Sequence, residues 1–310
     1  MGARDGLEED EPDVPGLDTP GELALAESPA DRVQPLPPNE PRTRGELYAE
    51  HRQRAEGGWE PRLFDAPRAE LERFKPERAG LPPMGLDAAA DYIAQHRTAR
   101  PWLTMADAGS PEARRILAAL DAGGGHGHIR HEGWVTEEAS RRRAAYLEDP
   151  AQLDLGQRYL GIDGLKPGNR PHRCGEIATR VTDLDAFATA FVRGVENSKV
   201  RAVLDMPFDP DRWPEEVTVP IAELLGAEGH QYCTGWLLEP IGGTIDATRH
   251  NRGDWRRERT DGRDFDAVEP MAQPVPTFEG GDMLFVVGQN RTRDGYEIVT
   301  MYPRPPRAGH

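Results

Sequence analysis

Residues Gly123–Arg143, GGGHGHIRHEGWVTEEASRRR, divide the chain and fix how both sides of it are read. Three glycines stop the helix that precedes them. Three histidines follow, His126, His128 and His131, and Thr136-Glu137-Glu138 then opens an Ala/Arg-rich run. Thr136 is a natural N-cap, because its hydroxyl can accept one of the free N–H groups of a first turn. Glu137 and Glu138 favour the positive end of the helix dipole. A histidine just before a helix and an arginine two turns into it can face one space. Imidazole moves protons near neutral pH, and guanidinium holds phosphate oxygens in a planar fork. The pairing points to phosphate chemistry.

Upstream of this stretch the pattern is helical. Ser110-Pro111-Glu112 starts a helix over Pro111–Ala122, with Ile116, Leu117 and Leu120 on one stripe. Shorter helices are expected at Gly45–Glu56, Ala66–Phe74 and Leu86–Arg97, interrupted by Pro76, Pro82 and Pro83. Residues 1–45 are rich in Pro, Asp and Glu without an apolar period, and read as a disordered tail. Downstream, the Thr136–Glu148 helix gives way to a loop over Asp149–Arg173. Thr182-Asp183 then caps a helix over Asp183–Glu196, with Phe187, Ala190 and Phe191 inward.

Beyond Lys199 short β-type runs alternate with turns: Arg201–Leu204, Val217–Val219, Tyr232–Leu238 and Gly243–Thr248. Asp282–Val287 and Tyr296–Tyr302, joined by Gly288–Gly295, read as a hairpin. Helices first and sheet afterwards argue an α+β fold. Three parts are expected: a tail over 1–45, a helical prefix over 46–122, and a principal domain over 123–305.

The formal net charge is −16, and residues 1–44 hold eleven Asp/Glu against four Arg. Such a field does not attract nucleic acid, so RNA binding would need a local basic patch. Cys174 and Cys233, the only cysteines, lie outside any CxxC and read as buried thiols, the alternative being one bridge between them. There is no apolar run of about 18 residues, so no membrane span is expected. The first residues lack the basic-then-apolar pattern of a secretory signal. A soluble chain is expected, with any export by a route other than that signal.

The histidines admit a metal reading. HGHIRH has the spacing of the HxHxDH motif of metallo-β-lactamase-like hydrolases, with His172, His230 and His250 as possible distant ligands. Arg130, however, stands where that motif has a metal-binding aspartate. Arg141-Arg142-Arg143 points around its helix in 100° steps, so one or two of the three can face His131. The bland alternative is a solvated charged face. Arg249–Arg263 has six arginines and contains Trp255, a composition that can hold a phosphate backbone and stack a base. A surface loop explains it equally well. In the last strand Thr300 and Tyr302 share a face, and hydroxyl and phenol beside an imidazole could bind a phosphate and handle a proton, although by themselves they read as an ordinary β strand, in which Thr and Tyr are common.

Taken together, these stretches resemble the bacterial RNase A-like toxin domain at the C-termini of contact-dependent inhibition (CdiA-type) and other polymorphic toxins. The similarity rests on Gly125-His126, His131-Glu132-Gly133, Thr136-Glu137-Glu138, Arg142, Ala178–Asp183 and the closing Tyr296-Glu297-Ile298-Val299-Thr300-Met301-Tyr302-Pro303. It covers about 123–305, with insertions around 150–172 and 205–265. The resemblance implies a curved antiparallel sheet behind N-terminal helices. It also implies a metal-independent endoribonuclease without cofactor, acting in interbacterial competition beside a cognate immunity protein.

By resemblance His131 transfers a proton, Arg142 holds the non-bridging oxygens, Thr300 positions the phosphate, Tyr302 assists, and His126 is a helper. Whether His131 is base or acid stays open in the sequence. Trp255, Arg256 and Arg257 are expected to contact RNA from the second insertion. Two rivals remain: a zinc hydrolase using His126, His128 and His131, and a non-enzymatic module of a secretion system.

Overall fold

The computed structural model describes residues 68–241, 244–290 and 294–306. The expected tail over 1–45 and the helix over Gly45–Glu56 lie outside them. Helices are α1 (Arg68–Arg73), α2 (Leu86–His96), α3 (Pro111–Gly123), α4 (Gly127–Arg130), α5 (Glu137–Tyr146), α6 (Leu155–Tyr159), α7 (Leu184–Glu196), α8 (Ser198–Leu204), α9 (Ile221–Leu225) and α10 (Ile245–Asp261). Strands are β1 (Ile177–Val181), β2 (Glu215–Pro220), β3 (Cys233–Leu238), β4 (Ala272–Pro274), β5 (Asp282–Gln289) and β6 (Tyr296–Arg304). The fold is α+β. Among the described residues no helix is long and apolar enough to cross a membrane.

Three helix starts follow their capping residues. The side chains of Ser110, Thr136 and Asp183 accept from the N–H groups of Ala113, Ala139 and Ala186 at 3.2, 3.0 and 2.8 Å. Each bond satisfies a donor that the first turn leaves free. Helix α3 stops at Gly124, whose φ of 88° is left-handed. Helix α7 is apolar on most sides, with Leu184, Phe187, Phe191 and Val195 buried, and it lies at the centre of the core. Leu71, Ile116 and Leu117 of the prefix share one buried cluster with Phe187, Phe191 and Phe285. From residue 68 onward, then, the helical prefix is part of the same core rather than a tether.

All strand pairs are antiparallel, but they form two sheets, ordered β1-β3-β4 and β2-β5-β6, where one curved sheet was expected. The sheets approach each other where β1 faces β6. The hairpin pairs as expected, with one irregularity: Val286 faces Thr300 while Val287 faces Ile298. Val299 is therefore an extra residue on β6, a bulge of the kind that frees a carbonyl from its ladder. That carbonyl accepts from the His126 N–H at 3.0 Å, and at the far end of the same segment the His131 carbonyl accepts from Val181 N–H at 2.9 Å. Residues 126–131 thus strap the two sheets together.

Three expectations fail locally. Arg201–Leu204 is helical, within α8: Asn197 caps it through Lys199 N–H at 3.0 Å, and Val200 and Val203 bury one helical stripe. Four apolar-leaning residues could not distinguish the two periods. Of the expected strand over Gly243–Thr248, the described residues 244–248 are not a strand, because Thr244 accepts from Ala247 N–H and starts α10. Asp149–Arg173 is not an open loop. It contains α6 and buries Asp149, Asp163 and His172. Both cysteines are free thiols, Cys233 buried and Cys174 half-buried.

Candidate active site at the junction of the two sheets

The strap can lie this close to both sheets only because of two glycines. A Cβ on Gly127 would stand 3.0 Å from Met301 N on β6, and one on Gly133 would stand 2.6 Å from the Thr182 carbonyl just past β1. The second distance is shorter than any real Cβ contact. Between these points His131 is set against β1 and β6 together. Its Nδ1 lies 2.8 Å from the Thr179 carbonyl on β1. Its ring stacks on Tyr302 of β6, with centroids 4.7 Å apart and planes 20° from parallel. A carbonyl only accepts, so Nδ1 carries the proton and Nε2 keeps a lone pair. No residue among those described bonds to Nε2.

His131 was expected to be partly exposed, yet it is only 6% exposed. Burial is the main reason its pKa falls well below the ordinary value. Arg143, His126 and Arg130 add repulsion that the Thr179 bond does not offset. His126 is lowered to about 4, first by burial and then by Arg130, His128 and Arg143, with Asp163 opposing. Two neutral imidazoles therefore sit in a cationic field. Thr300, on the same strand as Tyr302, is buried and its Oγ1 has no partner. Tyr302 is half-buried, and the Arg304 guanidinium carbon lies 5.7 Å from its ring centre.

The arginine beside the histidines is Arg143. Arg142 turns the other way: its Nε and Nη2 donate to both Glu148 oxygens at 2.7 and 2.6 Å, and it lies over the Tyr146 ring. One residue along the helix is a 100° rotation, and Glu148 already holds the Arg142 fork. Arg143 instead donates from Nε to His172 Nε2 at 3.2 Å and from Nη1 to the Arg130 carbonyl at 3.3 Å. Nothing in the Arg-Arg-Arg run distinguishes these two, and sequence reasoning missed Arg143.

His128 is fully buried with its Nε2 3.1 Å from Asp121 Oδ1, a carboxylate also held by Trp102 and Arg100. It belongs to that network, so the three histidines of HGHIRH do not converge on a common point. Among the described residues the group whose ligand atoms do converge is Asp149, Asp163 and His172.

The basic stretch is helix α10 and not a surface loop. Arg252 donates to the carbonyls of Ala144, Cys174 and Gly175, and Arg259 to that of Tyr146 and to Glu148. These arginines close the C-terminal end of α5, where orphan carbonyls need donors. Trp255, with Trp236, packs against the small buried cluster of Ala144, Ala145, Tyr146, Ala178 and Ala272. Arg257 pairs with Asp254 and lies over the Phe265 ring, and the Arg256 stem covers Gly161. The expected RNA contacts of Trp255, Arg256 and Arg257 therefore meet side chains that already have protein neighbours.

No protein-family model, curated protein or solved structure matches this chain.

Proposed function

We propose that the junction of the two sheets is the active site of a metal-independent ribonuclease. RNA carries its own nucleophile, so an enzyme must take a proton from the 2′-OH, stabilise charge on the phosphorane and protonate the leaving 5′-oxygen. The observation that carries this reading is the His131–Tyr302 stack, with Nδ1 tied to Thr179 and Nε2 open. A neutral imidazole with an unengaged lone pair is a base in the right protonation state. Arrival of an anionic phosphate beside Arg143 and Arg130 offsets the cationic field and raises the His131 pKa toward the working range. In this proposal Arg143 takes the anion-holding role that the resemblance gives to Arg142. Thr300 donates its unpaired hydroxyl to a non-bridging oxygen. Tyr302 fixes the imidazole plane and offers its phenol O–H for the second proton, and His126 lines the same site. RNA as substrate, action as a delivered toxin and a cognate immunity protein rest on the sequence resemblance alone.

The test is cleavage of single-stranded RNA by the full chain in excess EDTA. Wild type should cleave. His131→Ala should lose roughly 10²–10⁴-fold, the usual contribution of a positioned acid–base group. Cleavage abolished by EDTA, or retained in His131→Ala, would overturn the mechanism, and a wild type inactive on every RNA offered would point to a non-enzymatic module.

A further inference from the structure

Behind Arg143 lies a buried group of unusual composition. Asp149, Asp163 and His172 are each at most 3% exposed, and one ligand atom from each lies within 4.8 Å of the others. His172 Nδ1 is 3.6 Å from Asp149 Oδ2 and 3.6 Å from Asp163 Oδ2, and has no hydrogen-bond partner at closer range. Taken alone, these distances would suit a divalent cation.

The other nitrogen of the ring decides against a metal. Nε2 receives the Arg143 Nε–H at 3.2 Å, and arginine only donates. The Nε2 lone pair is therefore occupied by that bond, and the proton of the neutral ring is on Nδ1, facing the carboxylates. A metal on Nδ1 would need the lone pair there. It would place the proton on Nε2, against the N–H of Arg143. The carboxylates are also satisfied already. Arg130 donates from Nε to Asp149 Oδ1 at 2.9 Å and from Nη2 to Asp149 Oδ2 at 2.5 Å and Asp163 Oδ1 at 2.8 Å. Backbone N–H groups of Ala151 and Gly164 donate to Asp149, and that of Leu165 to Asp163.

We infer that His172 is a positioning residue for Arg143, its tautomer set by Asp149 and Asp163, and that this arrangement aims Arg143 at an oxyanion bound beside His131. The inference rests on the proposed phosphodiester chemistry for its purpose but not for its geometry. With Nε on His172 and Nη1 on the Arg130 carbonyl, two sides of the guanidinium are fixed. Nη2 has no partner among the described residues, and its N–H groups are left for a ligand. Burial lowers the His172 pKa against the pull of the carboxylates, which keeps the ring neutral and able to accept. Were it protonated, both nitrogens would donate and Arg143 would lose its anchor.

The experiment has two arms on the full chain. In ¹⁵N NMR of the wild type, His172 should be the Nδ1–H tautomer, and added zinc should leave its shifts unchanged. An Nε2–H tautomer, or zinc-dependent shifts of His172, would overturn the inference in favour of a metal site. The second arm measures inorganic phosphate binding by His172→Gln, whose amide oxygen can still accept from Arg143, and by His172→Leu, which cannot. Loss of one charge-assisted hydrogen bond predicts roughly tenfold weaker phosphate binding in His172→Leu, with His172→Gln near wild type. Equal binding in all three proteins would overturn the inference. If His172→Leu does not fold, the glutamine variant and the tautomer carry the test. A phosphate pattern as expected without RNA cleavage by wild type removes the ribonuclease reading and leaves the positioning role. RNA cleavage insensitive to both substitutions does the reverse.

Discussion

Thr300→Val separates a structural from a chemical role at one atom. The hydroxyl lies in a residue only 8% exposed, on β6 opposite Val286, and Oγ1 has no hydrogen-bond partner. A buried polar group left unpaired costs about 1–3 kcal/mol, and valine offers nearly the same shape with a methyl in its place. Both residues are β-branched and suit a strand. Allowing for some water access to the hydroxyl, the substitution should stabilise the protein by about 1 kcal/mol, or roughly 2–4 °C in Tm for a domain of about 200 residues. If the hydroxyl donates to the phosphorane, the same change should lower kcat by about 10²-fold, as removal of one oxyanion donor does. Urea unfolding and RNA cleavage in EDTA measure the two sides. A variant less stable than wild type by 1 kcal/mol or more would show that the hydroxyl is already partnered. Unchanged cleavage would remove Thr300 from the site.

His128→Ala should destabilise the fold by about 1–3 kcal/mol, since it removes a buried partner of Asp121, while leaving cleavage per folded molecule intact. Gly133→Ala should cost a similar ~1–3 kcal/mol, measured by thermal unfolding, because its Cβ would press on the Thr182 carbonyl. The pH dependence follows from His126, held at about 4 when folded against an ordinary value near 6.5. Between these values the unfolded chain binds more protons, so stability is complete above about pH 6.5 and falls as pH drops toward 4, by up to about 3 kcal/mol from this group. His126→Gln should flatten that slope in urea titrations at pH 5 and 7.5.

The helix starts at Ser110, Thr136 and Asp183 and the closing hairpin were legible because capping hydroxyls, carboxylates and alternating strands are local signals. So was the pairing of His131 with Tyr302, although its carrier was a resemblance of scattered motifs and not any one spacing. The choice between Arg142 and Arg143 was not legible. It depends on Glu148 and His172, which reach α5 from opposite directions across the fold. The polar group at Asp149, Asp163 and His172 was hidden for the same reason: its spacing in sequence follows no period, and only folding brings it together. Arg249–Arg263 misled because charge composition is the same for a surface that binds phosphate and a helix whose arginines bind its own chain's carbonyls. The Val200/Val203 stripe and the Thr244 cap were too short to outweigh β-branched residues nearby.

The strap of residues 126–131 has one end bonded to the Val299 bulge and the other to Val181, while among the described residues no ladder joins the two sheets directly. The distance between His131 and Tyr302 is consequently a property of how the halves of the domain are spaced, and not of a loop that could breathe alone. Parting the two sheets would strain the backbone bonds at both ends of the strap, so that motion belongs to the cooperative opening of the domain. Such a design trades adaptability for a fixed registry between the proposed base on the strap and the proposed phosphate ligands on β6. Changes in the bulge or at the end of β1 would be felt at His131 through this short bridge.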